Sequence, residues 1–170
     1  MKRITTWFNS LFAGSDPSPP GEPVVEDPLD YDKAIHLDAE NLSEQGILSA
    51  YEEMLPVLMQ FSESPLEVKE EVDHAQGYYA VHAGGKKYEI WVPDSERCEG
   101  WVQATIAFFE IVNASLGSSS HKFYALYTDN DLDGIFLTEA ECAAARLAIK
   151  SRSDWPWMPV DVPPQYGRPI

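Results

Sequence analysis

The order of apolar patterns predicts an α+β domain: a mainly antiparallel sheet of roughly four to five strands with about three helices, arranged α-β-β-β-α-β-β-α. Three observations carry this reading. "GYYAVHAGGKKYEIWV", residues 77–92, alternates on either side of a Gly-Gly turn. "SERCEGWVQATIAFFEIVNASLG", residues 95–117, repeats apolar side chains at helical spacing. "KFYALYT" and "GIFLT" then flank an acid-rich turn and lead into "EAECAAARLAIKS".

In residues 1–13, Lys2 and Arg3 precede Ile4, Trp7, Phe8, Leu11 and Phe12, which share one helical face. Thr5, Thr6, Asn9 and Ser10 interrupt the apolar stretch that a secretory signal needs. The segment reads as a short amphipathic helix that docks on its own domain or a partner, with a membrane surface as the other candidate. Residues 14–33 are rich in Pro and acids and read as an extended linker. A single domain is expected over 34–160, followed by a Pro-rich tail over 161–170. Trp155, Trp157, Met158 and Tyr166 mark part of that C-terminal stretch as an irregular packed strap.

The first helix is expected from Asn41 to Phe61. Asn41 with Glu44 has a capping-box pattern, and Ile47, Tyr51, Met54, Leu55 and Leu58 recur on one face. Pro56 lacks a backbone donor, which predicts a kink or break there. "PLEVKEEV" reads as a first, partly exposed strand. In the hairpin, Gly84-Gly85 supplies positive φ and sets Val81 opposite Tyr88 and Tyr79 opposite Ile90. His82, Lys87 and Glu89 fall on the other face. The second helix has a ready N-cap at Asp94 or Ser95 and a stop at Gly117. Its Trp101, Val102, Thr105, Ile106, Phe109, Val112 and Leu116 form a broad apolar face, so the helix must lie across a sheet.

Twenty-eight acids against twelve bases give a net charge of −16. Nucleic acids and anionic membranes repel such a chain, and its natural partners are cations or basic protein surfaces. No apolar run is long enough to cross a bilayer, so no stable membrane association is expected. Cys98 and Cys142 form no CxxC pair and no disulfide framework, which fits a reducing cytoplasm and leaves a single disulfide open.

"TDNDLDGIFLTEAE", residues 128–141, opens like a calcium loop, with Asp129, Asp131, Asp133 and Gly134 in order. A calcium loop of this type closes with a bidentate Glu at position 12, which here is Ala140. "KFYALYT" alternates as a strand, where an entering helix is required. Thr138 and Glu141 instead have the S/T-x-x-E spacing that starts a helix. The aspartates are good turn residues, with calcium binding as the alternative role.

His36, His74, His82 and His121 are scattered, with no metal-ligand spacing. No nucleophile elbow, phosphate-binding loop or dinucleotide fingerprint is present, so neither an enzyme nor a cofactor is expected. Cys142 sits in the first turn of the last helix, where a packed thiol is the simpler reading than an activated one. The segment "KFYALYTDNDLDGIFLTEAECAAARLAIKSRSDWPWMPV", with its "NDL", "FLT" and "DWPWMP" elements, resembles small acidic bacterial immunity proteins of type VI and other polymorphic secreted toxins. The resemblance implies a cytoplasmic protein that binds one cognate toxin and occludes its active site. A basic toxin surface would meet carboxylates of Asp129, Asp131 and Asp133, with Trp91 or Tyr78 as aromatic anchors.

Overall fold

The computed structural model describes residues 28–93 and 100–169. The amphipathic segment 1–13, most of the expected linker, and the N-cap expected at Asp94 or Ser95 lie outside these residues. The described elements are β1 (Ile35–His36), α1 (Ala39–Asn41), α2 (Ile47–Leu58), β2 (Val68–Asp73), β3 (Tyr78–Ala83), β4 (Lys86–Trp91), α3 (Gly100–Ser115), β5 (His121–Leu126), β6 (Asp133–Thr138) and α4 (Glu139–Ala148). The class is α+β, as expected. The single sheet is not what forms: six strands make two antiparallel sheets, ordered β1-β6-β5 and β2-β3-β4.

The reason lies in α3. Val102, Ala104, Thr105, Ile106, Ala107, Phe108, Phe109, Ile111 and Val112 are all buried, and together they surround the helix axis. A helix with an apolar face on one side needs one sheet; a helix apolar on nearly every side needs cover on several, and only a narrow stripe around Gln103, Glu110 and Ala114 is left toward water. The cover comes from β4 of one sheet, β5 of the other, and α1 and α2. Phe109 stacks on Phe123 of β5 with centroids 4.9 Å apart, and Phe123 meets Phe136 of β6 at 4.6 Å. Gly134 makes this possible, because a Cβ there would fall 1.9 Å from Phe123 Cζ.

The polar residues of α3 are matched to its neighbours. Asn113 Oδ1 accepts from Phe123 N at 2.9 Å, and its Nδ2 donates to Phe123 O at 2.9 Å. One amide side chain thus imitates a strand along the outer edge of β5. Two residues on, Trp157 pairs with Ala125 through N–H···O bonds of 2.8 and 2.9 Å, so the C-terminal strap continues that edge. Ser115 Oγ lies 2.7 Å from Tyr51 Oη and accepts from Leu66 N at 3.2 Å, which ties α3 to α2 and the approach to β2.

Local expectations divide. Gly117 stops α3 at φ +56, and the Thr138–Glu141 capping box forms in full, with Glu141 N to Thr138 Oγ1 at 3.2 Å and Thr138 N to Glu141 Oε2 at 2.7 Å. The first helix starts earlier than expected: Asp38, not Asn41, is the cap, accepting from the amides of Glu40 and Asn41. Its break falls at Leu42–Gly46, where Gln45 adopts φ 72, and not at Pro56. Pro56 is exposed and near the end of α2, so the carbonyl it leaves unpaired can face water. In the hairpin Val81 pairs with Tyr88, but a bulge between Tyr79 and Ala80 places Tyr79 opposite Trp91 instead of Ile90. The packed body also extends beyond 34–160. Leu29 is buried, and residues 160–168 are hydrogen-bonded among themselves through Val160, Val162 and Tyr166.

Two outcomes follow from this packing. Asn113→Leu leaves the N–H and C=O of Phe123 without partners and should destabilise the fold by about 2–4 kcal/mol, measured by urea denaturation. Glu141 is held below the ordinary carboxyl range by the amide and then the hydroxyl of Thr138. Its contribution is therefore present above the unfolded carboxyl value of about 4.3 and lost as pH falls through the lower folded value. Glu141→Gln should remove this part of the acid limb of a stability–pH profile while leaving the limb above neutrality unchanged.

Candidate functional site

Trp91 ends β4 at the open end of the hairpin, opposite Tyr79. Its Nε1 donates to Ser43 O at 2.8 Å, in the kinked turn between α1 and α2. Its ring lies against Gly100 at the start of α3, where a Cβ would come within 2.2 Å of Cε2. Two rigid elements therefore hold the indole in place while 44% of the residue stays exposed.

This indole borders two concavities. The first, of about 350 Å³, lies between Glu40, Glu44, Trp91, Trp101, Asp129 and Asn130. The second, of about 480 Å³, is lined by Glu44, Gln45, Asp73, His74 and Tyr78, again with Trp91. Tertiary structure thus brings Asp129, Trp91 and Tyr78 to one face, although they come from a turn and two strands. It does not bring all three aspartates there. Asp131 is exposed on the turn outside the first concavity, and Asp133 opens β6 with its Oδ1 3.0 Å from His36 Nδ1.

Divergence of the acids bears on the calcium alternative. Thr128 Oγ1 donates to Asp129 Oδ2 at 3.1 Å, Arg168 Nη2 lies 3.9 Å from Asp129 Oδ1, and Asp133 is committed to His36. Among the described residues, no group of three or more His, Cys, Asp or Glu side chains is placed to hold a metal ion. The 3-10 turn Asp129–Asp131 leaves Leu132 buried and directs its neighbours to separate partners.

Tyr78 differs from the exposed anchor that was expected. It is half-buried, and its hydroxyl oxygen lies inside without a hydrogen-bond partner. Lys87 Nζ stands 5.1 Å from the ring centroid. Tyr78 first, and then Glu71, hold the Lys87 ammonium above its usual range; the contact with Tyr78 that the geometry supports is the one to the ring. Beneath the face, the Tyr79 hydroxyl donates to Glu70 Oε1 at 2.6 Å, and burial and then Glu70 push that phenol above its ordinary value. Glu70 also accepts from Leu48 N at 3.0 Å, at the N-terminus of α2, where the helix dipole favours a carboxylate. The kinked turn that carries Ser43 and Glu44 is thereby anchored to β2.

Several residues of this face were not read from the sequence as binding residues, Glu44 being taken as a cap partner and Trp101 as core. Glu40 and Glu44 are four apart, which is a helical neighbour spacing, yet nothing along the chain places them beside Trp91. Trp101 reads as a core residue of α3 and is half-buried at the mouth of the first concavity. Arg168 lies in the expected tail, with its guanidinium carbon 5.1 Å from the Trp101 ring and 5.9 Å from Trp157. Cys142 is buried, and burial raises its thiol above the ordinary value, as suits a packed residue. No protein family, curated protein or solved structure matches this chain.

Gly100→Ala tests the arrangement of the face. The added methyl must displace the Trp91 ring, so the mutant should lose the Ser43 contact and show altered tryptophan fluorescence, with far-UV circular dichroism preserved.

Proposed function

We propose that this chain acts by binding and not by chemistry, as an immunity protein that captures a basic toxin and covers its active site. The observation that carries the reading is the acidic face around Trp91, where Glu40, Glu44, Asp73 and Asp129 surround an exposed indole held in one orientation. Aromatic anchors, tryptophan above all, are frequent energetic centres of protein interfaces. The net charge of −16 would speed capture of a basic partner and penalise acidic ones.

Two of the four described non-glycine residues with positive φ lie at this face, the others being Tyr127 and Tyr166. Gln45 and Asp129 have φ of 72 and 59, and they line the two concavities. Non-glycine residues in this region persist where the surrounding structure demands them, and they concentrate at functional positions. The resemblance of residues 122–160 to immunity proteins is the reason to name a toxin as the partner and the producing cell's cytoplasm as the place of action. Among the described residues, no helix is long and apolar enough to cross a membrane.

Co-expression with the product of the adjacent gene decides the matter. The chain should restore growth and co-elute with that product on gel filtration. Association should slow as salt rises, and the paired reversals Glu44→Lys and Asp131→Lys should slow it about 10-fold or more at low salt. Absence of both rescue and complex would reject the reading.

A further inference from the structure

We infer that the first concavity is a receptor for a guanidinium group, the arginine side chain of a basic protein partner; the inference rests on the binding reading above and names the chemistry of its contact. Two indoles, Trp91 and Trp101, and three carboxylates, Glu40, Glu44 and Asp129, line one space of about 350 Å³. The carboxylates of Glu40 and Glu44 have no ion-pair partner among the described residues. An anionic occupant would be repelled. An apolar one would strip water from Glu40 and Glu44 and pair neither. A cation meets both components, since indole faces attract positive charge and carboxylates complete its hydrogen bonds.

Guanidinium fits better than ammonium. It is planar, so one face can stack on an indole while its edge donates in a fork to carboxylates. It is also less strongly hydrated than the lysine head, so entering a partly enclosed site costs less. The fold already seats one guanidinium on this pairing. Arg168 lies over the Trp101 ring at 5.1 Å, with Nη2 3.9 Å from Asp129 Oδ1. A partner arginine would repeat that contact using Trp91 and the two glutamates. The receptor is preorganised, because Ser43 and Gly100 orient Trp91 before any ligand arrives. Little conformational freedom then remains to be lost on binding.

The test uses the full chain, indole-labelled for NMR, with the Trp91 signal assigned through Trp91→Phe. The probes are acetyl-Gly-Arg-Gly-amide and its citrulline counterpart, which keeps the shape and lacks the charge. The arginine peptide should shift the Trp91 and Trp101 indole signals saturably and bind about 10-fold or more tightly than the citrulline peptide. Glu44→Gln, an exposed and nearly isosteric change, should weaken the arginine peptide about 3-fold or more with unchanged Tm. Equal binding of the two peptides, shifts confined to other indoles, or an unaffected Glu44→Gln would each overturn the inference. The toxin experiment fails separately. A peptide that binds here supports the receptor even if the adjacent gene's product is not captured. Capture of that product at full strength by Trp91→Phe and Glu44→Gln would keep the toxin reading and remove the receptor.

Discussion

The burial of α3 on all but one narrow stripe is the constraint on which the rest of the molecule depends. A helix carrying Phe108, Phe109, Ile111 and Val112 beside Ala104 and Ala107 leaves water only a narrow stripe around Gln103, Glu110 and Ala114. Each large side chain that it buries contributes roughly 1.5–3 kcal/mol, so leaving one side uncovered would forfeit several of these at once. Two small sheets and a helical layer provide the cover. Three strands per sheet suffice because each is completed by α3 rather than by further strands. The few polar groups on the helix are then obliged to find partners inside. Asn113 does so by closing the edge of β5, and Ser115 by joining Tyr51 and Leu66.

The same constraint builds the acidic face. Because α3 lies between the sheets, its first turn meets the end of β4 and comes near the turn leaving β5. Gly100 receives the Trp91 ring, Trp101 lines the adjoining concavity, and Asp129 and Asn130 border it from the far sheet. α1 adds Glu40 and the kinked turn after it adds Glu44, and the start of α2 is held by Glu70 of β2. The site is thus a junction of four chain segments, each rigid for its own reason. Its carboxylates line one concavity, and of the three Asp129 is answered within the fold by Arg168.

Local chemistry was legible along the chain wherever the partners are near in sequence. Thr138 and Glu141 satisfy each other three residues apart, Gly84-Gly85 turns its own hairpin, and Gly117 ends its own helix. Expectations failed where another group competed, whether a near neighbour or a distant one. Asn41 and Glu44 have the spacing of a cap, but Asp38 takes the free amides, and Trp91 holds the Ser43 carbonyl. Tyr79 pairs with Trp91 because a bulge, invisible in a period-two pattern, inserts one residue on β4. The two-residue β1 carries no period at all and exists only because β6 offers it an edge.

By itself the sequence determined the α+β class, the order of the elements apart from β1, the Gly-Gly turn and the Gly117 stop, and a strongly acidic composition. These depend on propensities, capping and composition, which act within a few residues or on the chain as a whole. Only the tertiary structure decided that the strands divide into two sheets and that Asp129 joins Trp91 while Asp133 turns to His36. It also decided that Arg168, from the expected tail, stacks on Trp101. The physical reason is that side-chain direction across a fold follows from how α3 is enclosed. That enclosure combines β4 and β5, which flank α3 in the chain, with α1 and α2 from beyond the β2–β4 meander, and no local pattern encodes the combination.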